Sequence, residues 1–411
     1  MANMNQYQER LKLVEDTIAL KPVSRVANCT RVNYWPYYEY GLSIADSMRD
    51  FEKANECFYR YHREFSPDVG SMCACSFPSK VFEIAGMKNV RWPGDPKGLD
   101  VNAPYQYIEY ETLGEDEYDE YLSTPMQFVL DKFLPRVADI YEPLRQLDYA
   151  MIATGIRTHL DAFTSPAMLE MYDKLKACAE LIKEYKGYAA EEKKTIMDMG
   201  YPFISGGGSS TAFDMLGDSM RGTFGIMPDL ILQPENVKRT LDKFVTMHIS
   251  QSLAQCKATN GKFAWVMLHK GFDNFISDQV YAEFYWPYLR QWIYAMIEHD
   301  ITPVVFTEGS YTTRLKYLSD VPKGKVVYHF EEVDMKEAAR CLGGKACVMG
   351  GFPATLLEMG TPEKVRDKAK EILDIMMPSG GYLFGISCSV DHAPRANMEM
   401  LFETVEQCGK Y

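Results

Sequence analysis

The sequence predicts an α/β fold, a (β/α)8 TIM barrel with an N-terminal helical elaboration and an insertion loop over the barrel mouth. From about residue 260 onward, short apolar runs alternate with helical patterns, the signature of a parallel sheet with helices outside it. No Gly-x-Gly-x-x-Gly stands at a strand-to-helix turn, which removes the main support for an open dinucleotide-binding sheet. Glu308, His329 and Cys388 each follow a strand-like run, so that oxygen, nitrogen and sulfur donors share one rim.

Phe263 to Leu268 reads as a strand, and Ser277 caps a helix whose apolar residues from Tyr281 to Ile297 follow the 3.6 period. Residues 302–306 form the next strand and 325–328 the one after. Asp334 with Glu337 caps a helix over 335–342, and 346–349 is a further strand. Thr361-Pro362-Glu363 opens a helix that runs to about Met377, Gly380-Gly381 ends it, and 382–386 is the last strand.

In the first half, 5–20, 44–66, 122–144 and 166–187 read as helices and 23–29 as a first strand. Residues 90–120 hold Pro, Gly and acids with few aliphatics and read as part of an insertion over the mouth, spanning about 70–125. The whole of 1–411 is expected to be one domain, with 1–20 as an N-terminal helix.

Composition excludes several classes. Hydrophobic residues make up 46% and charged residues 25%, an ordinary globular balance that argues against disorder. The net charge of −13, without a dense Lys/Arg run, leaves no electrostatic footprint for nucleic acid or an anionic membrane. A polar start and no run of 18 apolar residues point to a cytoplasmic protein. The ten cysteines lack the spacing of a disulfide framework, and Cys73 with Cys75 has no second pair to complete a zinc ribbon.

Four constellations carry chemistry. Glu308, His329 and Cys388 are the expected metal ligands, although singly a rim Glu, a strand-end His and a Cys are more often structural. Gly206-Gly207-Gly208 after 201–204 reads as a flexible loop, with Phe213, Asp214 and Arg221 as substrate contacts or, equally, with Asp214, Asp218 and Arg221 paired structurally. His269 and Asp273, directly after a strand, are candidates for proton handling. Tyr34 and Tyr37, in the aromatic run 33–40, are candidates for an apolar substrate wall, against the commoner role of packing.

The segments Phe284-Tyr285-Trp286-Pro287, 303–309, Gly350-Gly351-Phe352-Pro353, Gly360-Thr361-Pro362-Glu363 and 380–388 resemble the uroporphyrinogen decarboxylase superfamily, and within it the cobalamin (corrinoid)-dependent methyltransferases. The likeness covers residues 200–408 well and the first third weakly. In place of the early Arg-x-x-Gly-Arg of true decarboxylases, 25–40 offers aromatics, which turns the expectation away from uroporphyrinogen. In place of the His-x-Cys pair of thiol-methylating members stands Glu308, with Cys388 kept and His329 further on.

The resemblance is therefore greatest to the O-demethylase branch. It implies a zinc ion, a methyl ether as small-molecule donor with a methoxylated aromatic the expected one, and transfer to the Co(I) of a corrinoid. No Asp-x-His-x-x-Gly cobalamin motif is present, so the corrinoid is expected on a separate carrier protein. Related barrels imply a homodimer. Two alternatives stay open at this point: a methylcorrinoid-to-thiol or -folate transferase, and a non-catalytic binding barrel.

Overall fold

The computed structural model describes residues 2–72, 77–155 and 157–411. Cys73 and Cys75 lie outside the described residues. The core is a seven-stranded parallel sheet: β1 (Ala27–Asn28), β2 (Gly207–Ser210), β3 (Phe263–Leu268), β4 (Thr302–Ser310), β5 (Val327–Glu332), β6 (Cys347–Gly350) and β7 (Tyr382–Phe384). Its order is β1-β7-β6-β5-β4-β3-β2. The two edges are bridged by a stretch without a regular ladder, where the Asp68 amide donates to Asn28 O and the Gly70 amide to Pro202 O, at 2.8 Å each.

Alternation along the strands sends one set of side chains inward. Ala27, Val69, Ile204, Phe263, Val304, Val327, Met349 and Leu383 form one buried cluster, as a sheet curled round its own inner face requires. Each fully buried aliphatic such as Val304 or Leu383 contributes roughly 1.5–3 kcal/mol. The outward set, with Val266, Val305, Tyr328 and Val348, packs under the surrounding helices.

Helix starts follow the expected chemistry. Ser277 accepts from the Val280 amide, Asp334 from Lys336 and Glu337, and Thr361 from Lys364. Several boundaries differ. The span 44–66 is two helices, Ile44–Ser47 and Phe51–Phe65, because Asp50 caps the second. The stretch expected as one helix over 122–144 breaks into short α, π and 3-10 turns around Pro125, Pro135 and Pro143. Helix Pro166–Asp198 runs a further three turns past 187.

The triple glycine is a correction. It is not a loop: Gly207 and Gly208 form the first half of β2, Gly206 leads into it, and 201–204 is not a strand. A Cβ at Gly206 would meet the Gly261 Cα at 2.6 Å, and one at Gly207 would meet Gln255 and Cys256 at 3.0 Å. Glycine there permits close packing of β2 on its neighbours rather than motion.

β4 and β5 are longer than expected, reaching Ser310 and Glu332, so Glu308 and His329 lie within strands and not beyond their ends. The pairs Phe306 with His329 and Thr307 with Phe330 extend the ladder until Gly309, at φ +81°, shifts the register. Among the described residues, no helix is long and apolar enough to cross a membrane.

Candidate functional site

The carboxyl ends of the strands gather ionisable side chains from β3, β4, β5 and the segments after β1, β2 and β7. On one side stands His269, just past β3. Its Nδ1 lies 2.6 Å from Asp218 Oδ2, and its Nε2 lies 3.8 Å from Glu308 Oε2. Burial alone would depress this imidazole, but the Asp218 hydrogen bond and the charges of Asp214, Asp218 and Glu308 push it up to about 9. It is an imidazolium at neutral pH.

Asp214 holds that arrangement from below. Fully buried, it accepts hydrogen bonds from the His269 amide (3.0 Å), the Lys270 amide (2.9 Å) and Tyr285 Oη (2.7 Å). Burial and the nearby Asp218 raise its carboxyl, while His269 and the three donors stabilise the anion. The fixed short segment Thr211 to Asp214, capped by the Thr211 hydroxyl, sets its position. Lys270 completes the network, with Nζ 3.0 Å from Asp218, 2.8 Å from Glu109 and 2.8 Å from Thr223. Glu109 belongs to the 90–120 segment, whose Tyr107 also donates to Asp218 O at 3.1 Å, so this segment touches the mouth directly. Glu308 is raised by burial, against the pull of His269.

On the other side the groups are of a different kind. His329 is buried, its ring 4.7 Å from Phe306 and 5.8 Å from Trp265 between centroids. Its Nε2 lies 2.8 Å from Ile386 O, and a carbonyl can only accept, so Nε2 carries the proton. Burial, then the Arg31 charge, push the ring down to about 3, against the Ile386 bond. The neutral ring therefore presents a lone pair on Nδ1, which has no hydrogen-bond partner among the described residues. Cys388 is half-buried, its thiol pushed up to about 11 by burial and by Glu331. Glu331 accepts from the Gly309 amide at 2.6 Å.

These placements separate the expected site residues. His269, Asp214 and Glu308 come together. Glu308, His329 and Cys388 occupy the same end of the sheet, but no three His, Cys, Asp or Glu side chains among the described residues stand close enough to hold a metal ion as they are. Asp273 is engaged with the next loop, accepting from the Thr313 amide (3.0 Å) and hydroxyl (2.7 Å) and from Ser310 (3.3 Å). Arg221 is buried against Asp229 (2.5 Å) and Leu113 O (2.5 Å). Phe213 packs on Tyr285, and Tyr34 and Tyr37 are buried in the core, Tyr37 edge-on to Phe58.

Two mouth residues, Glu331 and Arg31, escaped the sequence reading, and Asp218 was read without its partner. Glu331 was detectable, since period-2 alternation puts it on the face of His329. Asp218 stood within the 213–218 run with no sign that it would meet His269. Arg31, whose guanidinium lies 4.4 Å over the Trp265 ring, reads in sequence as one more loop arginine. Beside the mouth opens a groove of about 840 Å³, lined among others by Gly309, Glu331, Asp334 and Cys388.

The sequence profile of the uroporphyrinogen decarboxylase (URO-D) family matches residues 153–408. The chain belongs to the URO-D family. Its parallel sheet is in keeping with the TIM-barrel fold of that family. A uroporphyrinogen decarboxylase of Chlorobium luteolum is 29% identical over 143 residues, which are 33% of this chain and 40% of that protein. One of Aromatoleum aromaticum is 26% identical over 147 residues, 34% and 40% respectively. The matched part thus spans 40% of the length of either curated relative. Among solved structures, a methyltransferase from Methanosarcina mazei superposes with a TM-score of 0.60 over 98% of both chains at 13% identity, a likeness of fold.

Proposed function

We propose that this URO-D family member is a zinc-dependent methyltransferase that takes a methyl group from a methyl ether, with a methoxylated aromatic as the expected donor, and passes it to the Co(I) of a corrinoid held by a separate protein. The observation that carries the reading is His329: a buried imidazole locked by Ile386 in the tautomer that leaves Nδ1 unprotonated and without a partner among the described residues. Orientation of the other ring nitrogen by a backbone carbonyl is what a metal-ligating histidine needs. Glu308 on β4 and the Cys388 thiol after β7 would supply oxygen and sulfur donors, with Glu331 on the His329 face as a further carboxylate. Gathering them requires Glu308 to turn from His269.

Zinc, when bound, would supply a Lewis acid for charge developing on the leaving oxygen. The chain's own contribution is proton control. His269 holds its proton through neutral pH because Asp218 and Asp214 surround it, and its Nε2 faces the mouth beside Glu308. A departing phenoxide would meet this acid. Asp214 and Asp273 act as positioning residues for the 269–273 loop. Likeness of fold to a methyltransferase supports the same class of reaction.

A second reading, decarboxylation of uroporphyrinogen, has the two curated relatives in its favour. A tetrapyrrole carrying many carboxylates needs many cations, whereas this mouth sets Glu308, Glu331 and Asp218 beside few. The deciding experiment is methyl transfer from a panel of methoxyaromatics to a reduced corrinoid carrier, with zinc content measured in Glu308→Ala, His329→Ala and Cys388→Ala. Methylated carrier and zinc loss in the variants are expected. No transfer from any donor, or unchanged zinc in all three, would overturn the proposal.

A further inference from the structure

The helix Gly222–Leu232 is apolar on both faces. Gly225, Ile226 and Leu230 pack inward with Asp229, while Phe224 (93% exposed), Pro228, Ile231 (80%) and Leu232 (75%) stand in solvent. Their spacing of i, i+4, i+7 and i+8 makes one continuous outward stripe. A helix apolar all round belongs in an interior, and an exposed stripe of this kind marks a surface that another molecule covers.

Two neighbours of the stripe bear on what covers it. The first is the mouth, where the helix starts: Thr223 Oγ1 lies 2.8 Å from Lys270 Nζ, which stands 3.0 Å from Asp218 beside His269. From Phe224 the stripe leads away from there for about 12 Å at the usual rise. The second is a ridge of acids along the helix. Glu109 accepts from Thr223 at 3.1 Å, a Cβ on Gly225 would meet Glu111 Oε1 at 2.9 Å, and Gln233 donates to Glu115 O at 2.9 Å. Glu111, Glu115, Asp116 and Asp119 are exposed. Against them stand Arg221, committed to Asp229, and Arg239, 3.6 Å from Asp119. Negative charge is therefore in excess beside the stripe.

A second copy of this chain is a poor complement, because a two-fold contact sets the same acidic ridge on both sides and adds a second net charge of −13. The better complement is a different protein, apolar at the centre of its docking face and edged by Lys or Arg. We infer that the Gly222–Leu232 stripe and the 109–119 ridge seat the separate protein that carries the methyl acceptor and hold it over the mouth. The identity of this partner rests on the methyl-transfer reading; the stripe and ridge as a docking surface do not.

The test measures calorimetric binding of the corrinoid carrier to the full-length protein, and methyl transfer both to that carrier and to free reduced cobalamin. Ile231→Glu and Leu232→Glu should weaken carrier binding about tenfold or more and raise the KM for the carrier, with transfer to free cobalamin at the wild-type rate. Glu115→Lys combined with Asp116→Lys should slow association and flatten its salt dependence. Should a stripe variant misfold by circular dichroism, this charge variant decides. No carrier binding to the wild type, or binding unchanged in the variants, overturns the inference. So does a loss of transfer to free cobalamin equal to the loss with the carrier, or a wild-type dimer in sedimentation that Ile231→Glu dissociates. Carrier bound through the stripe without methyl transfer from any donor would sink the proposed reaction and leave the docking surface standing. Transfer to the carrier as fast in the variants as in the wild type would do the reverse.

Discussion

The two sides of the barrel mouth hold a histidine each, and the two are opposites. His269 sits among carboxylates and keeps its proton to about pH 9; His329 sits among aromatic rings and a carbonyl and refuses a proton down to about pH 3. On the first side every charge is answered within the chain, by Asp214, Asp218 and Lys270. On the second, an imidazole lone pair and a guanidinium are left unanswered among the described residues. Groups that satisfy one another stabilise the fold, whereas groups held out of water without partners weaken it and are retained where a ligand completes them.

The largest effect that would test this contrast is Asp214→Ala. Removing one buried carboxylate strands two backbone amides and the Tyr285 hydroxyl and leaves His269 with one less counter-charge, so urea denaturation should show a loss of about 3–5 kcal/mol. A loss under about 1 kcal/mol would mean the first side is not held by that group.

Next come the pH windows, read in metal-free protein. The folded pKa of His269 lies above the unfolded value of about 6.5, so its contribution is full below that pH and is lost as pH rises through about 9. The folded pKa of His329 lies below it, so its contribution is present above about 6.5 and is lost as pH falls toward about 3. Imidazole NMR titrations should give the two curves with this separation, and His329 should show its proton on Nε2 throughout.

Asp218→Asn should return the His269 midpoint toward about 6.5 in the same NMR experiment, because it removes the 2.6 Å partner. Glu308→Gln should lower that midpoint less, since its carboxylate stands 3.8 Å from Nε2. A reversed order would relocate the proton-holding pair from Asp218 to Glu308. The smallest change is expected from Arg31→Met: a stability within about 1 kcal/mol of wild type, or higher, since no side-chain partner is stranded. A loss as large as that of Asp214→Ala would show Arg31 to be structural.

Much of the architecture was readable in the chain. The caps at Ser277, Asp334 and Thr361 are local, three-residue events, and the strand–helix alternation after residue 260 follows from periodicity, so both survive without knowledge of neighbours. The proline-broken 122–144 stretch and the glycine strand β2 were misread because their structure is set by what they pack against. Of the site, the placement of Glu308, His329 and Cys388 toward the same end of the sheet was legible, as was the rim position of His269; that the three do not stand close enough to hold a metal ion as they are was not.

By itself, then, the sequence determined which residues stand at the carboxyl ends of parallel strands, because strand direction and the period of two are properties of the local chain. Tertiary structure alone decided which of them meet. Asp218 reaches His269, Asp273 turns to Thr313, and Arg31 is left on Trp265. Those pairings depend on the register between strands and on the path of loops more than 30 residues apart in sequence, where Coulomb attraction and desolvation act through space and leave no mark on any single segment.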